Sequence, residues 1–168
     1  ALTILTVVLA GFMFLKGHQR AAMLSAVVML AAGLANYWGK RLVGRDRPEW
    51  QEQAHELGSY AYPSGHSSGI AAFAGLVILL AVMLIRRRGI RRLVGALAIF
   101  VVLLVAADRV LLGRHYPSDV VGGLFLGAGV VLLGLALYSP LPRSHAIKSD
   151  PLPRALPSSA DLAVILNP

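Results

Sequence analysis

The chain has 168 residues, 57% of them hydrophobic and only 14% charged, with a mean hydropathy of +0.68. That composition excludes an ordinary soluble domain and points to an integral membrane protein. The absence of cysteine excludes a disulfide framework and thiol chemistry, and the net charge of +8 falls between apolar runs, which favours membrane topology over nucleic-acid binding.

Five apolar segments follow one another: 1–15, 21–39, 64–85, 93–113 and 117–138. Each is too long and too continuous for a barrel strand of ~10 residues, so the fold class is all-α, a polytopic transmembrane helix bundle. The first segment offers only residues 2–15 before Lys16, fewer than the ~20 apolar residues a span needs. It is read as a short helix or, preferably, as part of a chain that starts after its natural N-terminus. No basic region precedes it, which argues against a signal peptide. Two domains are expected: a membrane-embedded unit over 1–138 and an irregular cytoplasmic tail over 139–168. Six of the nine prolines lie in that tail. The other three, Pro48, Pro63 and Pro117, mark helix boundaries.

Basic residues divide unequally between the two ends of such a bundle. One end carries Lys16, Arg20, Arg86, Arg87, Arg88, Arg91, Arg92, Arg143, Lys148 and Arg154 against two acids. The other carries Lys40, Arg41, Arg45, Arg47, Arg109 and Arg114, matched by six acids. The richer end is expected in the cytoplasm.

Three polar clusters then fall together at the opposite, extracytoplasmic end: Lys40-x6-Arg47-Pro48, Pro63-Ser64-Gly65-His66 and Arg109-x5-His115-x3-Asp119. Lys40 and Arg47 are two helical turns apart and share a face if their helix continues that far. Arg109 closes an apolar run, where a charge needs a partner. Three converging cations imply an anion, and the arginine fork matches phosphate oxygens. Ser64 stands at a helix start as an N-cap, a phosphate donor, or both. Gly65 allows close backbone approach at a helix N-terminus suited to phosphate. His66 is placed to donate a proton. Asp119 can accept from one nitrogen of His115 and leave the other as a nucleophile. Arg41, Arg45 and Arg114 are read as interfacial side chains. His18, His55 and His145 are given no role. Residues 49–62, with Glu49, Glu52 and Glu56, are read as a solvated amphipathic stretch rather than a lid.

Taken together, the clusters resemble the signature of the type-2 phosphatidic acid phosphatase superfamily: Lys-x6-Arg-Pro, Pro-Ser-Gly-His and Ser-Arg-x5-His-x3-Asp. One position departs, Asp108 standing where the serine is expected. The resemblance covers about residues 1–138, and the family's usual six spanning helices imply one more before Ala1. It implies that His115 attacks phosphorus to give a phosphohistidine, that Asp119 orients it, and that His66 protonates the leaving oxygen. Lys40, Arg47 and Arg109, with Ser64 and the Gly65 backbone, would hold the phosphate oxygens. The two histidines must then work in different protonation states, so their environments are expected to push their pKa values apart. No metal or other cofactor is implied. The partners are the bilayer and a lipid phosphate, not nucleic acid. Analogy puts undecaprenyl diphosphate first among substrates, followed by phosphatidic acid and phosphatidylglycerol phosphate. A non-enzymatic anion channel or binding protein is the alternative that would need the cations without the histidine pair. A vanadium haloperoxidase shares the signature but is soluble.

Overall fold

In the computed structural model, residues 2–48, 59–138 and 140 are described. They form five helices: α1 (Leu2–Leu15), α2 (Gln19–Val43), α3 (Gly65–Leu84), α4 (Arg88–Leu111) and α5 (Pro117–Leu137). The expected tail over 139–168 and the stretch 49–58 lie outside the described residues, Pro140 apart.

Helices α2 to α5 are each long and apolar enough to cross a membrane. Helix α1 is apolar but has 14 residues, a rise of about 21 Å at 1.5 Å per residue. It is shorter than the ~30 Å hydrocarbon core, as the fourteen residues before Lys16 led one to expect, so four full-length apolar helices stand beside one short one.

Helix α3 lies at the centre and touches all four others, most extensively α5. The α3–α5 seam is built from small residues. A Cβ on Gly123 would stand 2.6 Å from the Ser64 carbonyl oxygen, and one on Gly127 2.3 Å from that of Ser68. Spacing of small residues at i and i+4 lets two backbones meet, as in membrane helix pairs generally. Below the seam, Leu24, Val28 and Ala32 of α2 pack with Ala72, Leu76 and Val131. Helix α4 is peripheral and buries no residue of its own. Its Leu93, Leu97, Phe100 and Leu104 are exposed, the expected surface for lipid contact.

The chain crosses back and forth, so helix ends from distant segments meet. At one end the Arg20 guanidinium lies 4.4 Å from the centre of the Tyr138 ring, joining the start of α2 to the end of α5. At the other end the end of α2 meets the starts of α3 and α5: Ser64 N donates to Asp119 O at 2.9 Å. The polar clusters are thereby collected on one end of the bundle.

Candidate active site

Helix α2 runs through Lys40 and stops at Val43, because Gly44 adopts the left-handed conformation (φ 61°) and its N–H closes on the Lys40 carbonyl. Arg47 is therefore not on a continuous helix with Lys40, as the spacing suggested. It returns to Lys40 by way of the turn. Its Nε and Nη2 donate to Ser59 O and Ser59 Oγ, both at 3.0 Å, and its Nη1 to Arg114 O at 2.9 Å. These three bonds pin the guanidinium plane. Lys40 Nζ donates to Tyr60 O.

Helix α3 begins at the second cluster. Ser64 is its N-cap, fully buried, with its hydroxyl accepting from Ser67 Oγ at 3.1 Å and from Ser67 N at 3.5 Å. The first N–H groups of a helix have no partner within it, and here they belong to Gly65 and His66. Asn36 of α2 fastens this turn from outside. Its Nδ2 donates to Pro63 O at 3.2 Å and to Ser68 Oγ at 3.1 Å. A Cβ on Gly65 would lie 3.1 Å from Asn36 Oδ1, so the bare backbone lets α2 approach the turn.

The third cluster spans the α4–α5 connection. His115 and Asp119 are 4% and 0% exposed. Asp119 Oδ2 accepts from Tyr116 N at 2.9 Å and lies 3.6 Å from His115 Nδ1. The second distance is beyond a hydrogen bond, and His115 Nδ1 is buried with no partner among the described residues. Burial, then the charges of Arg47 and Lys40, push the His115 imidazole down to about 4, against the opposite pull of Asp119 and the Ala61 backbone. The ring is neutral above that value and gains a proton only as pH falls through it.

Lys40, Arg47, Gly65, His66 and His115 line one cavity of ≈410 Å³, together with Leu2 and Ser59. Five of the eight expected site residues are thus brought together around a single space. Asp119 stands behind His115, and Ser64 is turned into the helix as its cap. Arg109 lies at the margin, close enough for its charge to act on His66. It is held by Asp108, whose Oδ2 accepts from Arg109 Nε at 2.8 Å and from Nη2. A second, larger cavity of ≈560 Å³ runs between α1, α2 and α3, lined mainly by apolar groups such as Val7, Met29 and Leu30. Both cavities are lined by Leu2 and Gly65, so the polar and apolar spaces adjoin.

Reading the sequence missed three residues. Asn36 carried a usable signal, being a buried amide in an apolar helix one turn before Lys40. Ser59 carried none. Arg45 was read as an interfacial cation, but its Nη1 donates to Asp119 Oδ1 at 2.9 Å and to Ser118 Oγ at 2.7 Å. Arg41 fits its interfacial reading, stacked 3.9 Å over the Tyr37 ring. Among the described residues, no three side chains of His, Cys, Asp or Glu gather to hold a metal ion.

Known proteins resemble this chain in sequence and in fold. The chain is 32% identical to a lipid A 1-phosphatase of Rhizobium etli over 130 residues, 70% of this chain and 50% of that protein. It is 30% identical to phosphatidylglycerophosphatase B of Bacillus subtilis over 127 residues, 73% of this chain and 61% of that protein. The chain therefore spans about half the length of the lipid A 1-phosphatases it matches. The crystal structure of a transmembrane PAP2-type phosphatidylglycerolphosphate phosphatase from Bacillus subtilis superposes with a TM-score of 0.74 at 28% identity. That match covers 85% of this chain and 71% of the other. The family model for the PAP2 superfamily matches residues 21–143, well over half of the sequence and all three clusters: the chain belongs to the PAP2 superfamily.

Proposed function

We propose that the protein is an integral-membrane lipid phosphatase that cleaves a phosphomonoester or diphosphate through a phosphohistidine intermediate. One observation carries the reading: two cations, two imidazoles and a helix N-terminus line a single cavity that adjoins an apolar one between helices. A phosphate head group fits the first and a lipid chain the second.

In the proposed reaction the phosphoryl oxygens are held by Lys40, Arg47, Arg109 and the N–H groups at the start of α3. Ser64 supports them by fixing that turn. His115 Nδ1 faces Asp119, which leaves Nε2 to attack phosphorus. The bond from phosphorus to the lipid oxygen breaks, and His66 gives that oxygen its proton. Water then attacks the phosphohistidine, releasing phosphate and restoring His115. Closure of the 3.6 Å gap between Nδ1 and Oδ2 accompanies development of positive charge on the imidazole, since such bonds often tighten only on the way to the transition state. The scheme needs no metal, so activity should survive chelators. The excess of basic residues at the opposite end supports an extracytoplasmic site.

The finer substrate assignment rests on analogy. Undecaprenyl diphosphate, phosphatidylglycerol phosphate, phosphatidic acid and the 1-phosphate of lipid A all present a phosphate on a membrane lipid. The deciding measurement is phosphate release from this panel by the purified protein in detergent, with His115→Ala as control. Release from at least one member above the control is the expected result. Failure with all four, or equal release by the control, would overturn the reading.

Asp108 offers a second check. Its carboxylate occupies two donors of Arg109 and adds negative charge beside the anion site. Asp108→Ser is expected to retain or raise kcat/KM by a few-fold on the best substrate. A loss as severe as that of His115→Ala would give Asp108 a duty in the reaction itself.

A further inference from the structure

Arg45 has no part in the scheme above, yet it is built into the His115–Asp119 unit from two sides. On one side, its Nη1 donates to Asp119 Oδ1 at 2.9 Å and to Ser118 Oγ at 2.7 Å. The guanidinium carbon also lies 4.7 Å from the centre of the Tyr116 ring. On the other side, the Arg45 carbonyl accepts from Ala61 N at 2.7 Å, and the Ala61 backbone acts on the His115 imidazole, favouring its charged form. Residues on the α2–α3 connection thus reach both partners of the pair.

The consequence follows from the burial of Asp119. Its side chain is fully buried, while Arg45 is 42% exposed. A buried carboxylate needs a compensating charge, and Arg45 makes the ion pair to its Oδ1. Oδ2 remains for Tyr116 N and, at 3.6 Å, for His115 Nδ1. Without Arg45, the uncompensated carboxylate would act on His115 and stabilise the imidazolium, which has no lone pair with which to attack phosphorus.

We infer that Arg45 is a positioning residue for the nucleophile: it holds Asp119 by Oδ1, so that Oδ2 orients His115 without trapping the ring as a cation. This rests on the reading of His115 as the nucleophile. It adds a fourth cation, acting through Asp119, to Lys40 and Arg47 in the cavity and Arg109 at its margin.

The groups facing His115 set the sign of the test. They are Lys40 from α2, Arg47 from the turn after it, His66 from α3 and Asp119 from α5, with Arg114 next to it in the chain. In the wild-type protein the net effect of these groups and of burial places His115 at about 4. The neutral nucleophile is then present above that pH and lost as pH falls through it. Removing the Arg45 charge leaves the raising influence of Asp119 less opposed, so the titration moves upward.

Two measurements test this together: the acid limb of kcat/KM on whichever panel lipid the wild type hydrolyses, and a direct NMR titration of His115 in histidine-labelled protein. The His115 resonance is assigned by its absence in His115→Ala. Arg45→Gln keeps a donor but loses the charge. It should raise both the limb and the titration by about one pH unit, the lower end of the effect of a close charge. Arg45→Lys keeps the charge and should leave both where the wild type has them. Tyr116→Leu keeps Arg45 but removes the ring beneath it, and should move both upward by less than Arg45→Gln does.

Equal loss of activity at every pH in the Gln and Lys variants, with the His115 titration unmoved, would reduce Arg45 to a structural ion pair. If Arg45→Gln does not fold, an unmoved titration in Tyr116→Leu overturns the inference by itself. Full hydrolysis by His115→Ala would instead remove the nucleophile reading and leave the titration result standing.

Discussion

Replacing His115 with alanine is expected to lower phosphate release by about 10⁴-fold or more, as loss of a nucleophile does in enzymes that work through a covalent intermediate. His115 is nearly enclosed, faces the polar cavity with Lys40 and Arg47, and is kept neutral to about pH 4. No other imidazole among the described residues has a buried carboxylate behind it. His66→Gln should behave differently, because its proposed duty is proton transfer to a lipid alkoxide. On a lipid phosphate the expected loss is about 10²- to 10⁴-fold. On a nitrophenyl phosphate, whose leaving group needs no proton, the first turnover should be largely restored. Phosphohistidine should then accumulate, because the same imidazole must take a proton from the attacking water. Rapid-quench kinetics with labelled phosphate, followed by acid and alkali treatment, reads both steps: the phosphoenzyme should survive alkali and disappear in acid. Equal impairment of His66→Gln on both substrates, without accumulation, would exclude it as the general acid.

The order of helices and the membership of the polar cavity were legible because both depend on local signals. Long apolar runs give helices, and Pro63 and Pro117 mark where two of them begin. Alternation of the chain across the membrane then places every second connection at one end. That was enough to bring Lys40, Arg47, Gly65, His66 and His115 together without knowing any packing. What escaped depended on partners remote in sequence. Arg45 and Asp119 are 74 residues apart, and nothing in the pattern of six cations at that end says which of them turns toward a carboxylate. Asn36 and Pro63 are 27 apart. The helical reading of Lys40 and Arg47 failed for a reason present in the sequence. Gly44 lies between them, and a glycine near the end of an apolar run is a frequent helix stop. Their side chains still converge, because the non-helical stretch after Gly44 carries Arg47 to the cavity that Lys40 lines. Asp108 was visible as a departure, but its effect on Arg109 needed the geometry of the last turn of α4.

The α3–α5 seam gives the other large expected effect, and it separates packing from chemistry. Gly123 and Gly127 are four residues apart on α5 and press against the backbone of α3, whereas a Cβ on Gly129 would meet nothing within 4 Å. Gly129→Ala should therefore leave stability unchanged or raise it by up to ~1 kcal/mol through helix propensity. Gly75→Ala is intermediate, since its new Cβ would meet the Val131 side chain at 3.2 Å, and a side chain can give by a few tenths of an ångström. Gly127→Ala has no such relief. The new Cβ would stand 2.3 Å from Ser68 O and 2.9 Å from Ala72 N, so the helices must separate. The expected cost is about 3 kcal/mol or more, at the upper end of overpacking in a well-filled interior. Gly123→Ala pushes on the Ser64 carbonyl at the start of α3, where Ser64 N also binds Asp119 O. It should displace the turn at the start of α3 from the His115–Asp119 pair and lower kcat/KM far beyond its effect on folding. Thermal unfolding in detergent and phosphate release, measured on all four variants, should rank Gly127 highest for lost stability and Gly123 highest for activity lost per unit of stability. Equal behaviour of Gly123→Ala and Gly129→Ala would mean that the two helices do not meet through these glycines, and that the three clusters are held together by something other than the seam.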